Sequence, residues 1–148
     1  MSLAARMLAS VAALACGACA GAREIVRTEA APAPIGPYSQ AVRAGDTLYL
    51  AGQIGLDPAT GALAPGGIAA ETRQALANVE AVLAAAGLET TDVVAATVYL
   101  VDLAEFAAMN EVYARTFVRA PPARATVGVA ALPKGARVEI AVVAVRSR

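Results

Sequence analysis

The sequence predicts an α+β fold: a two-layer sandwich in which two helices cover one face of a mixed six-stranded sheet. Three observations carry this expectation. Two segments repeat apolar residues at helical spacing. Six shorter segments read as strands, bounded by Gly, Pro and Asp clusters. Their order, β-β-β-α-β-α-β-β, supplies too few helices to cover both faces of a sheet. The 148 residues are enough for one such domain.

Residues 1–20 do not read as part of that fold. Arg6 gives a thin positive start, 7–15 is an apolar run, and Ala18-Cys19-Ala20 matches a small-x-small cleavage site. The segment reads as a signal peptide cut before Gly21, which predicts an exported, periplasmic protein whose domain is 21–148. The run is short for a membrane span. Two other readings stay open: a lipoprotein carrying its lipid on Cys16 or Cys19, and a cytoplasmic protein with a wrongly chosen start. Cys16 and Cys19 are the two cysteines of the chain, so a domain beginning at Gly21 has no thiol chemistry.

The domain begins with a short alternating strand over 24–28. Ala31-Pro32-Ala33-Pro34-Ile35-Gly36-Pro37 must be a loop, because three prolines in six residues suit neither helix nor central strand. Strands are expected over 39–43 and 47–54, joined at Gly45-Asp46. Turn clusters follow at Asp57-Pro58 and Pro65-Gly66-Gly67. A helix over 68–86 carries Leu76, Val79, Leu83 and Ala86 as one stripe, with Glu71 and Asn78 among the polar residues mostly off it, and Gly87 stops it.

A strand rich in Val and Thr is expected over 92–101. Asp102 and Glu105 have the spacing of a capping box opening a second helix to 118. Phe106, Met109, Tyr113 and Phe117 form its stripe and read as core. Pro121 and Pro122 stop this helix. Strands over 124–132 and 136–146, joined by Pro133-Lys134-Gly135, close the chain. These strands are apolar on more than one face, with Thr97, Tyr99, Val127, Val129, Ile140, Val142 and Val145. With helices on one face only, an apolar second face predicts oligomerisation.

Composition narrows the chemistry. There is no histidine, so the commonest general base and metal ligand are missing, along with any Ser-His or Cys-His pair. Twelve basic residues balance twelve acidic ones, which argues against a duplex nucleic-acid binder. No phosphate-loop, dinucleotide or metal motif is present. What remains is carboxylate, guanidinium, Tyr, amide and backbone.

Two residues stand out within that set. Arg124 follows Pro121-Pro122-Ala123, a stiff approach to an apolar strand. It reads either as a solvated strand-end charge or as a fixed bidentate receptor for a carboxylate or phosphate. Glu139 interrupts Val138-Ile140-Ala141-Val142-Val143 and shares a face with Ala141 and Val143. It reads either as half of a structural salt bridge or as a desolvated acid-base carboxylate. Tyr38 after a Gly-Pro turn, Gly52 near a strand end and Asn110 on the second helix are weaker candidates.

Several motifs in register carry a resemblance. They are Ile35-Gly36-Pro37-Tyr38-Ser39-Gln40-Ala41-Val42; Ala51-Gly52-Gln53-Ile54 with Asp57-Pro58 and Thr60-Gly61; Asn78 and Ala86-Gly87; Phe106, Asn110 and Tyr113; Pro122-Ala123-Arg124; and Leu132-Pro133 with Val138-Glu139-Ile140. Over 23–148 the chain resembles the Rid (YjgF/RidA-type) family of imine and enamine deaminases. The resemblance implies a chorismate-mutase-like fold and a homotrimer with clefts between subunits. It implies hydrolysis of 2-imino acids and their 2-aminoacrylate-type enamines, including 2-iminopropanoate and 2-iminobutanoate, to 2-oxo acids and ammonia, without metal or organic cofactor.

By the same resemblance Arg124 would clamp the substrate carboxylate and face Glu139 on the next strand. Glu139 would activate water. Tyr38 and Asn110 would shape the pocket, and Gly52 would offer backbone to the imine nitrogen. No nucleic acid is expected as partner, nor a membrane for the mature domain unless it is lipidated. Two positions depart from the family: Ala51 stands where Ser is common, and Thr126 where Cys is common. The competing readings are a non-catalytic binder of small carboxylates and a chaperone-like protein of the same fold.

Overall fold

The computed structural model describes residues 22–146. The signal-peptide segment read from 1–20 lies outside them. The expected element order is found: β1 Glu24–Val26, β2 Ala41–Ala44, β3 Thr47–Ile54, α1 Ile68–Ala85, β4 Val93–Leu100, α2 Phe106–Thr116, β5 Ala123–Gly128 and β6 Val138–Val145. The six strands form one sheet in the order β1-β2-β3-β6-β4-β5. Only β4 and β5 run parallel; every other neighbour pair is antiparallel. The mixed α+β sandwich of the sequence reading is therefore correct.

Alternation along β6 shows how the layers are divided. Val138, Ile140, Val142 and Ala144 are buried, whereas Glu139, Ala141, Val143 and Val145 are only partly covered. The buried set packs with Leu76, Val79, Leu83 and Met109 from the two helices. The opposite face stays open and apolar, with Tyr49, Val94 and Val127 all more than 40% exposed. The uncovered second face inferred from sequence thus exists in the single chain.

Helix α1 ends as its glycine predicts. Gly87 has φ +67°, and the amides of Gly87 and Leu88 return to Ala84 and Leu83. The Ala86 carbonyl accepts from Arg43 Nη2 and from Arg146 Nη2, so two cations meet the negative end of the helix.

Four local expectations need correction. Asp102 does cap the chain after β4, accepting from the Ala104 amide at 2.9 Å. Glu105, however, pairs with Arg137 instead of turning back to complete a box, and residues 103–105 form a 3₁₀ turn before α2. Strand β5 stops at Gly128, not at 132. Because β4 lies between β5 and β6, the chain must leave the sheet and cross the end of β4, so Pro133-Lys134-Gly135 is part of a crossover and not a hairpin turn. Asn78 is not a surface residue: it is 1% exposed, and its amide donates to the Ile54 and Leu56 carbonyls. Glu71 is buried too and accepts from the Arg137 amide.

The Asn78 contacts tether the end of β3 and the chain just beyond it onto α1, and Glu71 tethers the approach to β6. Gly55 makes the close approach possible, since a Cβ there would lie 2.7 Å from both the Cα and the carbonyl oxygen of Glu71. Backbone atoms cannot rotate away as a side chain can. Gly55→Ala is expected to lower unfolding stability by about 1–3 kcal/mol, as overpacking does. Chemical denaturation measures it, and an unchanged midpoint would show that strand and helix can separate freely.

Candidate functional site

Strand β3 carries a bulge. Leu50 pairs with Val142 and Gln53 with Ile140, so Ala51 and Gly52 together oppose Ala141. The Ala51 amide donates to the Gln40 carbonyl and its carbonyl accepts from Gln53 Nε2, which fixes the bulge from both sides. The bulge brings Gly52 against Glu139: a Cβ on Gly52 would lie 1.9 Å from Glu139 Oε1. Glycine leaves room for the carboxylate in its present position, which a side chain at 52 would displace.

Glu139 lines a cavity of about 330 Å³ with Gly52, Tyr38, Ile54, Leu56 and Pro133. Among the described residues no cation or hydrogen-bond donor engages its carboxylate. Burial raises its pKa above the ordinary 4.5. The salt-bridge reading of Glu139 is therefore not what the chain builds.

The Pro-rich loop forms one wall of this cavity. Sequence reading passed over Gln40, which holds the loop in place. Its buried amide donates to the Thr28, Ala31 and Pro32 carbonyls and accepts from the Thr28 amide. Tyr38 is half exposed, and its hydroxyl accepts from the Ile35 amide at 3.3 Å.

Arg124 and Asn110 lie elsewhere. Arg124 pairs in register with the buried Ala96, so its side chain leaves β5 on the helix side of the sheet. There Nη2 donates to Asn110 Oδ1 at 2.8 Å. The guanidinium carbon lies 4.4 Å from the Tyr113 ring centroid and 5.6 Å from that of Phe106. No carboxylate among the described residues pairs with it. These contacts correct one expectation. Tyr113 and Phe106 are not plain core: Tyr113 is buried against the arginine, and Phe106 is 40% exposed. Asn110 holds the arginine and does not line the Glu139 cavity.

Arg124 does not face Glu139 within one chain. Strand β4 separates their strands, and the two side chains leave opposite faces of the sheet. One chain thus presents two half-sites: Tyr38, Gly52 and Glu139 in one, Asn110 and Arg124 in the other. The two departures lie on different strands, Ala51 on β3 and Thr126 on β5. Ala51 lines the Glu139 cavity. Thr126 buries a hydroxyl without a hydrogen-bond partner, where a thiol would behave as a small apolar group. No group of three or more acidic, cysteine or histidine side chains among the described residues is placed to hold a metal ion. No helix among them is long and apolar enough to cross a membrane.

Residues 28–146 match the family model described as endoribonuclease L-PSP. The 2-iminobutanoate/2-iminopropanoate deaminase of Bos taurus is 54% identical over 124 residues, covering 84% of this chain and 90% of that protein. Among solved structures, the YjgF gene product of E. coli superposes with a TM-score of 0.79 at 44% identity, over 84% of this chain and 99% of that one. E. coli TdcF with bound serine does so with a TM-score of 0.80 at 42% identity, over 84% and 99%. Together with the six-stranded sheet and its two helices, these matches place the chain in the endoribonuclease L-PSP family, the Rid (YjgF-type) family its sequence resembles.

Proposed function

We propose that this protein hydrolyses reactive 2-imino acids, of the 2-iminopropanoate and 2-iminobutanoate class, to 2-oxo acids and ammonia. The observation that carries this is Arg124. A partly buried guanidinium held by neutral groups, with no carboxylate partner among the described residues, is a receptor awaiting an anion. The names of the deaminase relatives, 54% identical in Bos taurus and 50% in Homo sapiens, supply the substrate class.

The chemistry asks little of the protein. A protonated imine carbon is already electrophilic, so orientation, one water and modest acid-base help suffice. Arg124 binds the substrate carboxylate. Glu139, its pKa raised by burial, takes a proton from the water that attacks C2. The adduct nitrogen takes that proton back from Glu139, the C–N bond breaks to release ammonia, and the adduct hydroxyl passes its proton to Glu139 and on to the departing ammonia as the C=O bond forms, leaving the 2-oxo acid. Hydrolysis needs no external oxidant or reductant.

Both half-sites serve one substrate only if Arg124 of one copy meets Glu139 of another. We infer a homotrimer whose open sheet faces pack together. The support is the apolar face carrying Tyr49, Val94 and Val127 and the separation of Arg124 from Glu139. The endoribonuclease label of the family is not adopted, because charge is balanced and supplies no excess of cations for a nucleic-acid backbone.

The test is a coupled assay in which an amino-acid oxidase generates 2-iminopropanoate or 2-iminobutanoate and a trap reports its lifetime. The expected result is faster imine loss in the presence of the protein, with 2-oxo acid and ammonia formed one to one. Unchanged decay together with measurable 2-oxo acid binding would replace the enzyme by a carboxylate-binding module.

A further inference from the structure

Arg124 is held without a counter-charge among the described residues. An arginine fixed by Asp or Glu would be well ordered, but its charge would already be answered. Here the contacts are the Asn110 amide oxygen at 2.8 Å and the face of Tyr113, whose centroid lies 4.4 Å from the guanidinium carbon. The Tyr113 ring is itself fixed, 5% exposed and 4.6 Å from the Phe117 ring centroid. Its hydroxyl is buried and makes no hydrogen bond of good geometry. Burial raises the phenol pKa, and the nearby Arg124 charge and the hydroxyl's own interaction with the Arg124 side chain offset this only in part, so the ring remains neutral at ordinary pH. The hydroxyl lies too far out of line for a direct bond, so the larger part of what Tyr113 offers Arg124 is its ring face, 4.4 Å from the guanidinium carbon.

We propose that Tyr113 is a positioning residue: its ring face, with the Asn110 amide, holds the Arg124 guanidinium in place while leaving its charge free for the substrate carboxylate. This rests on the reading of Arg124 as a carboxylate clamp. The ring restricts the guanidinium plane and the amide takes one donor, so the remaining donors can form a pre-organised bidentate receptor. A cation–π contact gives the required hold without neutralising the ion.

The experiment uses the full protein, with two readouts. One is nuclear magnetic relaxation of the Arg124 Nε–Hε group, which reports side-chain order without any ligand or activity. The other is the affinity of 2-oxobutanoate by calorimetry. In Tyr113→Phe the arginine should stay ordered and affinity should stay near wild type, because the ring face is retained. In Tyr113→Leu the Arg124 group should become mobile and affinity should fall roughly two- to thirtyfold, the range of a cation–π contact. Should the leucine variant fail to fold, Tyr113→Met removes the ring with less loss of volume. Asn110→Asp should leave Arg124 ordered yet weaken 2-oxobutanoate binding at least about tenfold, because a carboxylate then occupies the receptor.

Equal order of Arg124 in the wild type and in the leucine or methionine variant would overturn the proposal, and so would unchanged affinity in Asn110→Asp. If the wild type binds 2-oxobutanoate but leaves imine decay unchanged, the deaminase reading fails while both readouts still decide the role of Tyr113.

Discussion

Arg124→Ala is expected to remove essentially all imine hydrolysis above the spontaneous rate. The loss in kcat/KM is roughly a hundredfold to ten-thousandfold, the equivalent of two charge-assisted hydrogen bonds. Fold and assembly should survive, because Arg124 makes no ion pair among the described residues and its one hydrogen bond goes to Asn110. Arg124→Lys keeps the charge and loses the fork, so it should regain only a minor part of the activity. Steady-state kinetics beside a thermal melt separate lost function from lost fold. Full activity in Arg124→Ala would remove the carboxylate clamp from the mechanism.

The same variant tests the shared site. If Arg124 of one copy works with Glu139 of another, unfolding and refolding Arg124→Ala together with Glu139→Gln should restore activity that neither has alone. Random pairing in a cyclic assembly gives about a quarter of the sites one intact residue from each side. No recovery in mixed assemblies would require both residues to act from the same chain, which β4 lying between β5 and β6 makes difficult.

The sequence and the structure agree where local pattern dictates form and part where long-range packing does. The strands, both helices and the Gly87 stop follow from period, caps and turn residues, which act within a few positions. Arg124 and Glu139 were legible as unusual charges on apolar strands. Their separation was not, because strand order is a property of pairing across the whole chain. A strand inserted between two consecutive ones leaves no local mark. Tyr113 shows the limit in another way. Its helical spacing matches a core residue, and it is buried like one, yet its ring lies against the Arg124 guanidinium. Periodicity reports which face a residue lies on and not what it meets there. Asn78 and Gln40 were missed because a polar side chain on a buried face is assigned to solvent until its backbone partners are known. The invitation to look was present in the sequence: both residues fall inside the motifs that carried the family resemblance.

Glu139 provides the sharpest dependence on pH. Nothing among the described residues stabilises the carboxylate, and burial favours the protonated form, so its pKa lies above 4.5. Water activation needs the carboxylate. Catalysis should therefore rise as pH passes upward through this raised value, with an acid limb above that of a free glutamate. Packing of a second copy over the open face would remove more water and move the limb higher still. Stability runs the other way: the fold prefers the protonated group, so this contribution is fully present below the unfolded-state pKa and is lost as pH rises through the folded one. Glu139→Gln should abolish both trends. It should flatten the acid limb and lower kcat by about a hundredfold to ten-thousandfold, the usual share of a general base. It should also leave the protein at least as stable near neutral pH, because a neutral amide replaces a poorly solvated charge. A pH–rate profile of kcat/KM and a pH series of thermal melts, each on wild type and Glu139→Gln, measure the two trends. An acid limb that persists unchanged in the glutamine variant would assign the proton transfer to another group. A limb lost from the rate with no change in the melts would locate the pKa shift in the assembled, ligand-bound cleft and not in the folded subunit alone.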